Sequence, residues 1–344
     1  MPEEGPLADD LRAAGVEVLV RPLAVLRRSV MSPSGVRRVA AAWAADAGGL
    51  GRLARARGVA LVHTNTSTTL GGAAAARVAG VPHVWHVREI YAGYERWWPA
   101  YRRLLLTAHA MPCVSRATCA QFEGAPAAFT LYDALTHAPR GTSPAAARRL
   151  MGLPPDAVVV ALVARVSGWK GQDLLVRALA EPALAARPRV VALLAGAPRR
   201  GEERHRRELH ELAAQLGVTA RVHDAGFQPD LDAVYAAADV VATASTHPDP
   251  LPNPLLEAPA ARRCVVAAAH GGAPEVVRDG VTGLLVAPRD AGALAGAIGR
   301  LADDPALRAR LAAAAEADVR ARFGRARLLA DLQARYDALL EGRR

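Results

Sequence analysis

The chain has 344 residues, 51% of them hydrophobic, and carries 43 basic against 33 acidic side chains for a formal net charge of +10. That length is too great for one ordinary domain and suits two. No apolar run approaches the roughly eighteen residues that cross a bilayer, and the opening MPEEGPLADD is acidic rather than the basic, apolar start of a secretory leader, so a soluble, cytoplasmic protein is expected. Cys113, Cys119 and Cys264 make neither a disulfide framework nor a set of metal ligands. They read as inert thiols, and no metal and no other cofactor is expected.

In chain order, short β-branched or apolar runs at 16–20, 60–65, 83–87, 110–115 and 128–132 predict strands of a first lobe. Residues 136–147 (THAPRGTSPAAA) are rich in Pro, Ser, Thr and Gly and read as a linker. Beyond it, strands predicted at 157–164, 189–195, 221–224, 239–243, 264–268 and 282–286 alternate with helical periodicity at 172–179, 204–216 and 231–238. That alternation is the pattern of a parallel sheet with crossover helices. The expected fold is α/β, with two Rossmann-like, doubly wound lobes facing a cleft. The expected division is 1–140, 148–322 and a final segment, 323–344, whose amphipathic helix over 323–340 crosses back to the first lobe. Ligands of such sheets bind outside the carboxyl ends of the strands, which here are followed by Arg165, Gly196, Gly226, Ser245 and His270.

Of the 43 basic residues only Lys170 is a lysine, and alanine is also in excess, so coding bias accounts for much of the arginine. The net sign still favours anionic partners. Arg199, Arg200, Arg204, Arg206 and Arg207 are interleaved with Glu202, Glu203 and Glu208, as on a solvated helix face. No nucleic-acid-binding signature is present, and no nucleic-acid partner is expected.

The strongest local signal is STHPDPLPNPLLEA, 245–258, after a strand and opening a helix. Asp249 and Glu257 stand eight apart; carboxylates so placed accept vicinal hydroxyls, while amides at Leu251 and Asn253 face phosphate. An acidic helix start is the ordinary alternative. After the first strand of this lobe comes RVSGWKGQ, in which Arg165 offers a planar fork and Lys170 a compact charge, a pairing suited to a diphosphate. Downstream, HGGAPEVVRDGVTGLLV places Gly271 and Gly272 at a strand end, where a ligand can approach the backbone, and Glu275 in the next helix.

Together these motifs, in this order, resemble the family 4 retaining glycosyltransferases of the GT-B fold: an arginine, then Lys170-Gly171, an E-x7-E element and a GG-x-x-E-V-V-x-D-G segment. The resemblance implies transfer of a hexose-type sugar from a nucleotide-diphosphate-sugar, with retention, to a glycan or lipid-linked acceptor in cell-surface glycan assembly. It makes Arg165 and Lys170, with the amides of Leu251 and Asn253, the donor-diphosphate contacts. Glu257 would hold the ribose, and Asp249 with His86 would flank the transferred sugar as the catalytic pair. Ser245, Gly171, Gly271, Gly272 and Glu275 would complete the cleft. The chain departs from the family where Asp249 replaces a glutamate and Pro252, which has no N–H, replaces a glycine. In the first lobe, HTNTST (63–68) forms a hydroxyl-rich loop and Ser115-Arg116 a turn after the next strand.

Tyr91, Tyr94, Trp97, Trp98 and Tyr101 crowd one short stretch beside Arg96, Arg102 and Arg103. Amphipathic rings among arginines suit the inner face of a membrane or a lipid-linked acceptor, and packing onto the lobe is the alternative. The family's first lobe opens with a strand, a glycine turn, a helix and a second strand, none of which precedes Gly5. The N-terminal lobe is therefore expected to be incomplete, by about forty residues in the doubly wound order. A non-catalytic nucleotide-sugar or glycan binder, inactivated by that truncation, is the rival expectation.

Overall fold

In the computed structural model, residues 1, 4–26, 33–91, 93, 95–135 and 139–342 are described. They form two compact units, Met1–Leu131 with Ala330–Arg344, and Tyr132–Leu329.

The first unit holds four short strands: β1 (Val62–Thr64), β2 (His83–Trp85), β3 (Met111–Cys113) and β4 (Ala128–Thr130). β1 pairs with β2 and β3 with β4, both parallel. The parallel bridges Val84–Ala110 and Val87–Cys113 join the pairs in the order 1-2-3-4. The alanine-rich helix Gly71–Ala79 crosses from β1 to β2 and stops at Gly80, whose φ of 71° is the left-handed helix end that glycine adopts without strain. Trp85, Val87, Leu105, Met111, Cys113 and Phe122 form the core beneath.

The second unit carries one six-stranded parallel sheet. Its strands are β5 (Val158–Val163), β6 (Val190–Ala195), β7 (Val222–Gly226), β8 (Val240–Thr243), β9 (Cys264–Ala268) and β10 (Leu284–Val286). The spatial order is β7-β6-β5-β8-β9-β10, so the strand order reverses between β5 and β8, where doubly wound sheets bind ligands. β6 reads VVALLA and is buried throughout, as a sheet covered on both faces requires. Each fully buried aliphatic side chain, such as Leu162 or Leu193, contributes about 1.5–3 kcal/mol. The covering helices start at polar caps: Asp290 accepts from the Ala293 amide and Asp304 from the Leu307 amide.

One expected element is corrected. Residues 16–20 are no strand: Val16, Leu19 and Val20 are 48%, 41% and 40% exposed. The alternation is there, but the segment's backbone bonds run to Leu11 and Met1 rather than to a ladder. The first unit ends at Leu131, before the expected linker, of which 136–138 lie outside the described residues and 144–150 form a helix. The final helix is Arg325–Glu341; Phe323 instead caps the helix Pro305–Arg322 with its ring fully buried.

The aromatic stretch is mainly packing. Tyr91 stacks on Trp98 at 4.9 Å and meets Tyr101 edge-on at 5.4 Å, while Trp98 packs on Phe122 at 5.5 Å. Burial joins these rings to the core, and only Trp97, 46% exposed, is left outside it among the described members. Tyr94 lies outside the described residues. No helix among the described residues is long and apolar enough to cross a membrane.

Candidate functional site

The carboxyl ends of β5, β8 and β9 deliver three loops that interlock through glycines. Gly171 has φ of 82°, and a Cβ there would sit 1.9 Å from the Ala244 carbonyl oxygen. A Cβ at Gly271 would sit 2.2 Å from the Asp249 carbonyl oxygen, and one at Gly272 2.2 Å from that of Pro250. Only glycine allows these approaches. Hydrogen bonds lock the contact: the Thr246 amide donates to Trp169 O at 2.7 Å and the Gly272 amide to Asp249 O at 2.8 Å. His270 Nε2 donates to the Ser245 carbonyl at 2.7 Å.

This framework brings Lys170 and Asp249 together. Lys170 Nζ lies 2.5 Å from Asp249 Oδ2, which also accepts from Ser245 Oγ at 3.3 Å. Asp249 and Ser245 are buried. The ammonium also sits 4.3 Å from the centre of the Trp169 ring, a cation–π contact. Arg165 leaves the end of β5 with its Nε enclosed and without a partner. Burial, reinforced by the Arg199 guanidinium, draws its pKa below the usual arginine range. An arginine so placed gains from an anion. The amides of Leu251 and Asn253 have no protein acceptor among the described residues.

Glu257 sits in the first turn of the helix Pro254–Ala260, where a carboxylate complements the helix dipole. Its Oε2 accepts from the hydroxyl of Tyr235 at 2.5 Å. Tyr235 is fully buried in the helix Leu231–Ala237, and burial together with the Glu257 charge raises its pKa and keeps the phenol protonated. Reading the sequence missed Tyr235, since a tyrosine among alanines looks like core filling. Glu275 is engaged by Tyr132, whose hydroxyl donates to Oε2 at 2.8 Å.

In the first unit, His86 follows β2 and is buried. Burial above all, with Arg88 and His63 adding, pushes its pKa down to about 3, so the ring is neutral. Thr64 Oγ1 bonds His83 Nε2 at 2.8 Å; three residues apart on an extended chain, His83 and His86 face opposite sides of the sheet. Glu89, another residue missed from sequence, organises the 63–68 loop. It accepts from Thr66 Oγ1, the Ser67 amide, Ser67 Oγ and the Arg88 amide. Among the described residues no cluster of His, Cys, Asp and Glu is placed to hold a metal ion.

The second unit is a doubly wound parallel sheet with Lys170 and Asp249 paired at its reversal point, and the fold matches GT-B glycosyltransferase structures. The chain belongs to the family of glycosyl transferases, group 1, whose profile matches residues 146–318, half of its length. It is 46% identical over 176 residues to the D-inositol 3-phosphate glycosyltransferase of Actinosynnema mirum, a match covering 48% of this chain and 41% of that protein. The chain spans about half the length of the curated relatives it matches. Among solved structures, Anabaena HepE in complex with UDP and glucose superposes with a TM-score of 0.84 at 26% identity, over 98% of this chain and 90% of that one. Its complex with UDP-glucose gives 0.82 at 26% identity over the same shares.

Proposed function

We propose that the chain is a retaining glycosyltransferase that moves a hexose-type sugar from a uridine-diphosphate sugar to a hydroxylated acceptor. The observation that carries this reading is the Lys170–Asp249 pair at the reversal point of the sheet, with Arg165, whose Nε has no partner, following the same strand β5 that leads to Lys170. Arg165 and Lys170 bind the diphosphate, with the Leu251 and Asn253 amides, and offset the negative charge that grows on the departing nucleotide. A diphosphate drawing Lys170 away from Asp249 leaves that carboxylate for hydroxyls of the sugar. Glu257, held by Tyr235, takes the ribose. His86, held neutral by burial, serves the sugar and acceptor side. The UDP and UDP-glucose complexes of HepE support a uridine nucleotide. The name shared by the curated relatives supports a phosphorylated polyol as acceptor, alongside a glycan or lipid-linked glycan of the cell surface. The work would be cytoplasmic, with Trp97 and its neighbour Arg96 as the remaining contact for the inner membrane face.

The test is release of UDP from UDP-glucose with inositol phosphate and glycan acceptors. Lys170→Ala should lower turnover by about 10²- to 10³-fold, the cost of removing one preorganised charge partner. Unchanged turnover would overturn the assignment of Lys170. Binding of UDP-glucose without turnover of any acceptor would favour the non-catalytic reading, which the replacement of a loop glycine by Pro252 motivates.

A further inference from the structure

His63 and His86 share one face of the first unit's sheet. His63 is the middle residue of β1, in register with Val84, two residues before His86. Their ring centres are 5.6 Å apart and tilted by 52°. Both Nε2 atoms are enclosed with no hydrogen-bond partner. Buried imidazole nitrogens without partners are uncommon, because each forfeits its interaction with water. The other nitrogen of His63, Nδ1, lies 2.5 Å from the hydroxyl of Tyr336, and the two rings meet edge-on at 5.9 Å. Tyr336 belongs to the helix Arg325–Glu341, and its portion of that helix belongs to the first unit.

We infer that Tyr336 and His63 form a positioning pair for His86: the phenol fixes which nitrogen of His63 carries the proton, and the His63 ring fixes the plane of the His86 ring. With Nδ1 accepting from the phenol, the neutral His63 carries its proton on Nε2. Burial depresses the pKa of both rings, which keeps them neutral and makes the tautomer the property to be controlled. A neutral imidazole with one tautomer presents one donor and one acceptor in known places, whereas an unheld ring divides its population between two. The end of the chain thereby governs the acceptor-side histidine. This inference rests on the reading of His86 given under the proposed function.

Imidazole ¹⁵N spectra of the full chain at pH 7.5 test it directly and need no turnover. In the wild type, His63 should show a single neutral tautomer protonated at Nε2. Tyr336→Phe, which keeps the ring and loses only the oxygen, should convert it to a mixture and shift the His86 resonances. A tautomer mixture at His63 in the wild type, or His86 resonances unmoved by Tyr336→Phe, overturns the inference. Loss of one hydrogen bond should shift the melting temperature by only a few degrees, about 2–6 °C, so folding does not obscure the result. With UDP-glucose, Tyr336→Phe and His63→Ala should lower kcat with little change in KM for the donor, and His63→Gln, whose amide reaches toward the Nε2 position, should recover part of the loss. A rise in donor KM with kcat unchanged argues against positioning of His86. If the wild type turns over no donor, the glycosyltransferase reading fails while the spectra still decide the inference.

Discussion

Replacing Tyr235 by phenylalanine removes one oxygen and leaves a fully buried ring in place. That oxygen donates to Glu257 Oε2 at 2.5 Å, a hydrogen bond to a charged acceptor. Such bonds contribute about 1.5–3 kcal/mol. Glu257 is half-buried, so water recovers part of the loss, and a net of about 1–2 kcal/mol remains. Since the bond holds the carboxylate in the orientation assigned to the ribose, the loss should appear in nucleotide affinity: a dissociation constant for UDP raised about 5- to 30-fold. Calorimetric titration of UDP into wild type, Tyr235→Phe, Glu257→Ala and the double variant checks it. In the cycle, Tyr235→Phe should cost little once Glu257 is gone. Wild-type affinity in Tyr235→Phe, or an equal loss in both backgrounds, would refute the reasoning.

Gly171→Ala forces a Cβ against the Ala244 carbonyl at a positive φ and should destabilise the second unit by about 3 kcal/mol, seen as a fall in melting temperature of about 6–12 °C. Glu89→Ala strands two amides and two hydroxyls of the 63–68 loop and should cost about 2–3 kcal/mol in urea unfolding, most of it restored by Glu89→Gln, whose remaining oxygen still faces the Ser67 and Arg88 amides. His83 and His86 are held near pKa 4 and 3 when folded, through burial first and neighbouring positive groups second, against 6.5 in the unfolded chain. The unfolded chain therefore binds more protons below pH 6.5. Stability should be flat above that pH and fall on acidification, by up to about 1.4 kcal/mol per pH unit for each histidine, until the folded pKa is reached. Unfolding at pH 7.5, 6 and 5 should show a shallower fall in His86→Gln than in the wild type; equal slopes would refute the assignment.

The strands of the second unit were legible because a sheet covered on both faces demands continuous apolar runs, and VVVALV and VVALLA are such runs. Lys170 stood out because it is the one lysine among arginines, and Asp249 because it opens a proline-rich turn after a strand. The run at 16–20 misled for a physical reason: alternation marks a capacity to pair, and pairing also needs a neighbour that the sequence does not name. Tyr235 and Glu89 escaped because their roles are set by contacts across 22 residues or by a loop folded back on itself. The contact of His63 with Tyr336 bridges 273 residues, and no local period encodes it.

The first unit is discontinuous: residues 1–131 are joined in it by 330–344, which follow the second unit in the chain. Joining residues on either side of an unfolded loop of roughly 200 residues costs about 5 kcal/mol of entropy. The second unit removes most of that cost by folding, because its entry and exit are tied together: the Leu135 amide donates to Phe323 O at 2.8 Å, and Tyr132 meets Phe323 edge-on at 5.4 Å. During synthesis residues 62–131 are thus made before the second unit and completed after it, once Tyr336 has left the ribosome. A chain halted before that residue leaves the second unit able to close and the first without its final helix.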